Sequence, residues 1–139
     1  MKLVADTEVV VAAVRSGNGA SAELLRLADV GRCSLLVSVA LVLEYESVLM
    51  RPEHLAAAGL DRGQMSNLLN GIVQLCEPTA IHFRYRPVTK DPADELVLEA
   101  AVNGAATAIV TFNRKDFGTG PSKFGIGCWL PREALERLR

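Results

Sequence analysis

Short apolar runs alternate with stretches of helical pattern along this chain, and that alternation restricts the fold more than any other feature. Leu3-Val4-Ala5 stops at Asp6-Thr7-Glu8, which reads as a buried strand ending at an acidic turn. Ser34 to Val39, Thr107 to Thr111 and Ile126 to Leu130 are further apolar runs of strand length, and Ile81 to Tyr85 fits either a short strand or a loop. Helical patterns fall between them: one starting over Val9 to Val14, Ala20 to Val30, most of Val39 to Met50, His54 to Ala58 behind Pro52, and a last one from Pro131 to Leu138. Asp61 and Gln64 have capping-box spacing, which predicts a helix from Arg62 to Leu75. Asp91-Pro92-Ala93-Asp94 combines a capping acid, a first-turn proline and a second acid, so a helix begins there and runs to Val102 before Asn103-Gly104 stops it. The loop from Phe112 to Gly120 follows the strand at Thr107 to Thr111. Strands that are apolar on both faces and alternate with helices predict an α/β fold in three layers, a central parallel sheet flanked by helices. The helical insertion between Pro52 and Cys76 is the one departure from simple alternation, and no repeat or linker divides the chain, so residues 1–139 read as a single domain.

Composition supports a packed core and excludes several classes of protein. Half of the 139 residues are hydrophobic while only 5% are aromatic, so the core rests on Leu, Val, Ile and Ala. Net charge is -1, so no global field draws the chain to a polyanion, and any nucleic-acid binding must use local cations or bound metal. Cys33, Cys76 and Cys128 are odd in number and lack zinc-site spacing, which predicts reduced thiols. The start of the chain has no apolar stretch of signal-peptide length, and no run is long enough to span a bilayer. A soluble cytoplasmic protein, with no membrane partner, is expected.

In an open parallel sheet, functional groups gather outside the carboxyl ends of the strands. That rule places Asp6, after the first strand, beside the Asn113–Asp116 loop after the strand at Thr107 to Thr111. Asp94 lies in the first turn of the helix leading into that strand, and Glu44 lies about one helical turn past the second strand, within reach of the same crevice. Carboxylates converging in this way repel one another, and a hard cation such as Mg²⁺ or Mn²⁺ relieves the repulsion. With such an ion the cluster suits phosphodiester hydrolysis, and neither His54 nor His82 has a neighbour that makes it a convincing base. Each acid also has a plainer role open to it: Asp6 as a helix cap, Asp94 as a complement to the helix dipole, Asp116 as a turn residue and Glu44 as a solvated helix position.

Several segments, taken in order, resemble the PIN-domain nucleases, in particular bacterial toxin components of toxin–antitoxin pairs related to VapC-type toxins. Lys2-Leu3-Val4-Ala5-Asp6-Thr7 is similar to that family's opening strand and first acid, and Leu43-Glu44-Tyr45-Glu46-Ser47-Val48-Leu49 with Arg51-Pro52 to its second-acid helix. Asp91-Pro92-Ala93-Asp94-Glu95 resembles the third motif, Val110-Thr111-Phe112-Asn113-Arg114-Lys115-Asp116-Phe117 the fourth, and Leu130-Pro131-Arg132-Glu133 the closing segment. The resemblance implies Mg²⁺- or Mn²⁺-dependent endonuclease activity on RNA, and the mechanism expected of such a site is in-line attack by a metal-bound hydroxide, leaving 5′-phosphate and 3′-hydroxyl ends. It implies Asp6, Glu44, Asp94 and Asp116 as catalytic metal ligands, with Thr7, Thr111 and Asn113 as supporting polar groups. It also implies homodimers and a small antitoxin bound in or over the site.

Glu8 departs from the small polar residue that family members commonly carry there; it is either a solvent-facing first-turn acid or an extra carboxylate near the metals. Asp91 reads as a helix cap. Arg84, Arg86 and Lys90 precede the third acid, Arg114 and Lys115 sit in the fourth motif and Lys123 lies just beyond; as a local cluster they are candidate phosphate contacts, Arg114 and Lys115 foremost. The same residues would serve a nuclease of RNA processing or DNA repair, or a PIN-fold module that binds without cutting. A receiver-like or nucleotide-binding domain fits less well, because no glycine-rich phosphate loop follows the first strand.

Overall fold

The computed structural model describes residues 1–84 and 91–139. Its centre is a five-stranded sheet in the order β3-β2-β1-β4-β5, every pairing parallel, built from β1 (Lys2–Ala5), β2 (Ser34–Val37), β3 (Cys76–Pro78), β4 (Ala108–Val110) and β5 (Gly127–Trp129). Around it run α1 (Thr7–Arg15), α2 (Ala20–Asp29), α3 (Val39–Leu49), α4 (Pro52–Ala58), α5 (Arg62–Gln74), α6 (Pro92–Asn103), α7 (Gly120–Lys123) and α8 (Pro131–Leu138). This is the expected α/β fold with a parallel sheet flanked by helices.

The middle strands are the most buried part of the molecule. Leu3, Val4, Ala108, Ile109 and Val110 have no exposed surface, as expected for strands covered on both faces. Each of the Leu, Val and Ile side chains among them contributes roughly 1.5–3 kcal/mol through removal from water. Leu24 of α2, Leu41 and Leu49 of α3, Met65 and Leu69 of α5, and Leu98 of α6 join them in one continuous core.

Chain direction reverses its advance across the sheet between β1 and β4, because the chain moves from β1 to β2 and β3 on one side and then returns to β4 and β5 on the other. That switch point opens a crevice at the carboxyl ends of the two strands. Register fixes what stands there. Ala5 is opposite Val110, and the Asp6 N–H continues the ladder by donating to the Val110 carbonyl at 2.9 Å, so Asp6 and Thr111 emerge side by side.

Several boundaries differ from the sequence expectation for physical reasons. Helix α1 begins at Thr7 rather than Val9, because the Asp6 carboxylate caps it directly and leaves no linker. Strand β3 at Cys76–Pro78 takes the place of the candidate at Ile81 to Tyr85: Ile81–Arg84 carries no strand, and Tyr85 lies outside the described residues. The Phe112 to Gly120 loop contains a 3₁₀ turn, Arg114–Phe117, pinned by the fully buried Phe117. The insertion before β3 is α4 and α5, the latter with its Asp61–Gln64 capping box formed. Cys33, Cys76 and Cys128 are free thiols, all held in the neutral form by burial, Cys76 up to about 11. Among the described residues no helix is long and apolar enough to cross a membrane.

Candidate active site

Asp6 is the single residue that joins β1 to α1. It is buried, and both oxygens of its carboxylate are held: Oδ1 accepts the Thr7 N–H at 2.8 Å and Oδ2 accepts the Thr111 hydroxyl at 2.7 Å. The Thr111 oxygen in turn accepts the Asn113 N–H at 3.0 Å, so the loop after β4 is tied to the end of β1. Tyr45 adds a second tie, its buried hydroxyl donating to the Ala5 carbonyl, which locks α3 against the same strand end. Glu44 precedes Tyr45 in α3 and is thereby set at the crevice.

Asp94 stands in the first turn of α6, where Asp91 caps the helix by accepting the Ala93 N–H at 2.9 Å. The capping role expected of Asp91 is therefore filled. Asp116 lies in the 3₁₀ turn above the buried Phe117. Asp6, Glu44, Asp94 and Asp116 all line one cleft of about 360 Å³, together with Thr7, Glu8, Val48, Arg51, Asp91, Ala93 and Asn113. Glu8 meets both placements open to it: it is an exposed first-turn acid and it lines the same cleft as the other carboxylates.

The electrostatics report the convergence. Burial pushes the Asp94 carboxyl up to about 7, and the charges of Asp6, Asp91, Asp116 and Glu95 add to the rise. Burial also raises Asp6; its hydrogen bonds from Thr111 and Thr7 oppose the rise, and the charges of Glu8 and Asp116 reinforce it. Three of the acids therefore feel one another through space, as like charges gathered in a partly dry site must.

Among the described residues no three His, Cys, Asp or Glu side chains are drawn together tightly enough, as they stand, to hold one metal ion. The donor chemistry fits a hard divalent cation nonetheless. The acidic groups offer oxygen only, and the neighbouring charges raise the proton affinity of Asp6 and Asp94, which a cation would reverse. The Thr7 hydroxyl also lines the cleft, is buried and has no hydrogen-bond partner, an unsatisfied polar atom beside Asp6.

The basic residues divide. Arg114 pairs with Glu133 at 3.1 Å, and Glu133 is itself held by the Leu130 N–H at the start of α8. Lys115 is exposed on the same turn, and neither residue lines the cleft. Arg84 and Lys123 are exposed; Arg86 and Lys90 lie outside the described residues. Among the described residues Arg51 is the cation that does line the cleft, and sequence reasoning gave it no role. No helical spacing marks it, because α3 ends at Leu49 and Arg51 is the extended N-cap of α4.

The fold and this cleft define an α/β protein with an acidic cleft at the switch point of a parallel sheet. Residues 2–115 match the family described as PIN domain, and the chain belongs to that family. PIN domains are a family of nucleases, typically hydrolysing phosphodiesters and generally using divalent metals. The matched span contains Asp6, Glu44 and Asp94 and ends one residue before Asp116. No match is found among curated proteins or among solved structures.

Proposed function

We propose that this PIN domain is an endoribonuclease dependent on Mg²⁺ or Mn²⁺, and that it is the toxin of a toxin–antitoxin pair. One observation carries the nuclease reading: Asp6, Glu44, Asp94 and Asp116, far apart in sequence, line a single cleft at the sheet's switch point. These residues would hold the ion, which when bound supplies Lewis acidity toward a phosphodiester oxygen and offsets the charge that builds there. Thr111 and the Thr7 N–H fix the Asp6 carboxylate before any ligand arrives, and Asn113 steadies Thr111. Tyr45 keeps α3, and with it Glu44, in register with the strand end. RNA as substrate, a small antitoxin over the cleft, a homodimer and a cytoplasmic location rest on the resemblance to VapC-type toxins.

End-mapping of products from a total RNA pool, with and without Mn²⁺ and beside Asp6→Asn, tests the proposal. Mn²⁺-dependent 5′-phosphate and 3′-hydroxyl ends that vanish in the variant are expected. Equal cleavage by both proteins, or 2′,3′-cyclic phosphate ends, rejects it. RNA retained without cleavage by the unaltered protein supports the non-catalytic binding module instead.

A further inference from the structure

Arg51 is an exposed guanidinium on the wall of a cleft lined by six carboxylates, yet among the described residues no hydrogen bond or ion pair engages it. Its main chain fixes the point from which the side chain enters the cleft wall. Arg51 is the N-cap of α4, extended at φ -64° and ψ 140°, with Pro52 at the first helical position. Its N–H donates to the Val48 carbonyl at 3.1 Å, and its own carbonyl accepts the N–H groups of His54 at 3.0 Å and Leu55 at 3.1 Å. The joint between α3 and α4 is thus closed by main-chain bonds, and the side chain is left to face the cleft beside Glu44 and Val48.

We propose that Arg51 is a substrate-binding residue whose guanidinium grips a phosphate of the RNA strand lying across the cleft; this rests on the nuclease reading. A polyanion entering a site lined by acids meets repulsion from every carboxylate that the ion does not neutralise. A fork of N–H donors at the cleft wall supplies the opposite sign where the strand must pass, and planar guanidinium geometry matches two phosphate oxygens at once. Arg114 is committed to Glu133 and stands away from the lining, so it does not fill this role. With a net charge of -1 the chain as a whole does not draw RNA in, and a phosphate contact inside the cleft would fix the strand's position.

The test uses an RNA oligonucleotide spanning a mapped cleavage position, with Ca²⁺ replacing Mn²⁺ to slow turnover. Binding is followed by fluorescence anisotropy over a range of salt concentrations for the unaltered protein, Arg51→Gln and Arg51→Lys, each checked for its melting transition. Arg51→Gln should bind about tenfold more weakly with a salt slope smaller by roughly 0.7, and Arg51→Lys should recover the slope but only part of the affinity. A neutral methylphosphonate is then placed at the scissile linkage or at one of its neighbours in turn. At the linkage Arg51 contacts, that change should weaken the unaltered protein about tenfold and Arg51→Gln by no more than about twofold. Losses that add at every linkage, or full recovery by lysine, reduce Arg51 to a general balancing charge and overturn the inference while the nuclease reading stands. An unaltered protein that neither binds nor cuts RNA removes the nuclease reading, and the inference with it.

Discussion

Substituting Asp94 with asparagine should make the metal-free protein more stable above neutral pH. Burial, with the charges of Asp6, Asp91, Asp116 and Glu95, raises the Asp94 carboxyl from its ordinary 3.8 to about 7. A carboxyl with a raised folded-state pKa binds its proton more tightly in the folded chain than in the unfolded one. Its contribution to stability is therefore fully present below pH 3.8 and is lost as pH rises to about 7. The shift is about three units at roughly 1.36 kcal/mol each, a total of about 4 kcal/mol, of which about 2–3 kcal/mol falls between pH 5 and pH 8. Asparagine keeps the shape and has no charge to lose. Urea unfolding of both proteins in EDTA at pH 5 and pH 8 measures the difference, and groups common to both cancel. The unaltered protein should lose about 2–3 kcal/mol more than Asp94→Asn over that range, and saturating Mn²⁺ at pH 8 should restore it while affecting the variant less. Parallel pH profiles for the two proteins would refute the view that the carboxylates strain one another.

Thr111→Val keeps the volume of a side chain with no exposed surface but removes the hydroxyl shared by Asp6 and Asn113. It should destabilise by about 1–3 kcal/mol in urea unfolding. The loss should be larger at pH 8 than at pH 5, because the bond favours the charged form of Asp6. Gly104→Ala should also destabilise by about 1–3 kcal/mol in thermal unfolding. A Cβ there would stand 2.4 Å from the buried Leu36 Cδ1 and 3.0 Å from the Ala100 carbonyl oxygen. An unchanged melting transition would count against such tight packing of α6 on β2.

Elements whose local chemistry and burial agree were legible in the sequence. The strand expected at Thr107 to Thr111 has the apolar centre Ala108-Ile109-Val110 and sits beside β1 within the sheet, and α6 carries both its cap and its glycine stop. Strand β3 was not legible, because Cys76-Glu77-Pro78 carries an exposed acid and a proline, and its pairing runs only to β2 at the sheet's edge. The grouping of Asp6, Glu44, Asp94 and Asp116 followed from topology, since strand ends in a parallel sheet share one edge. Arg51 was harder to find. It lies past the end of α3, and only the paired turn into α4 keeps it on the face of Glu44.

The single residue joining β1 to α1 has a consequence for how such a protein can drift. One Asp6 oxygen starts a helix and the other steadies a neighbouring strand's loop, so most replacements would damage folding before they touched chemistry. Asparagine is the exception, since it caps a helix about as well as aspartate while carrying no charge. A silent descendant that keeps its shape is therefore reachable by one change at that position, and an asparagine there would mark it.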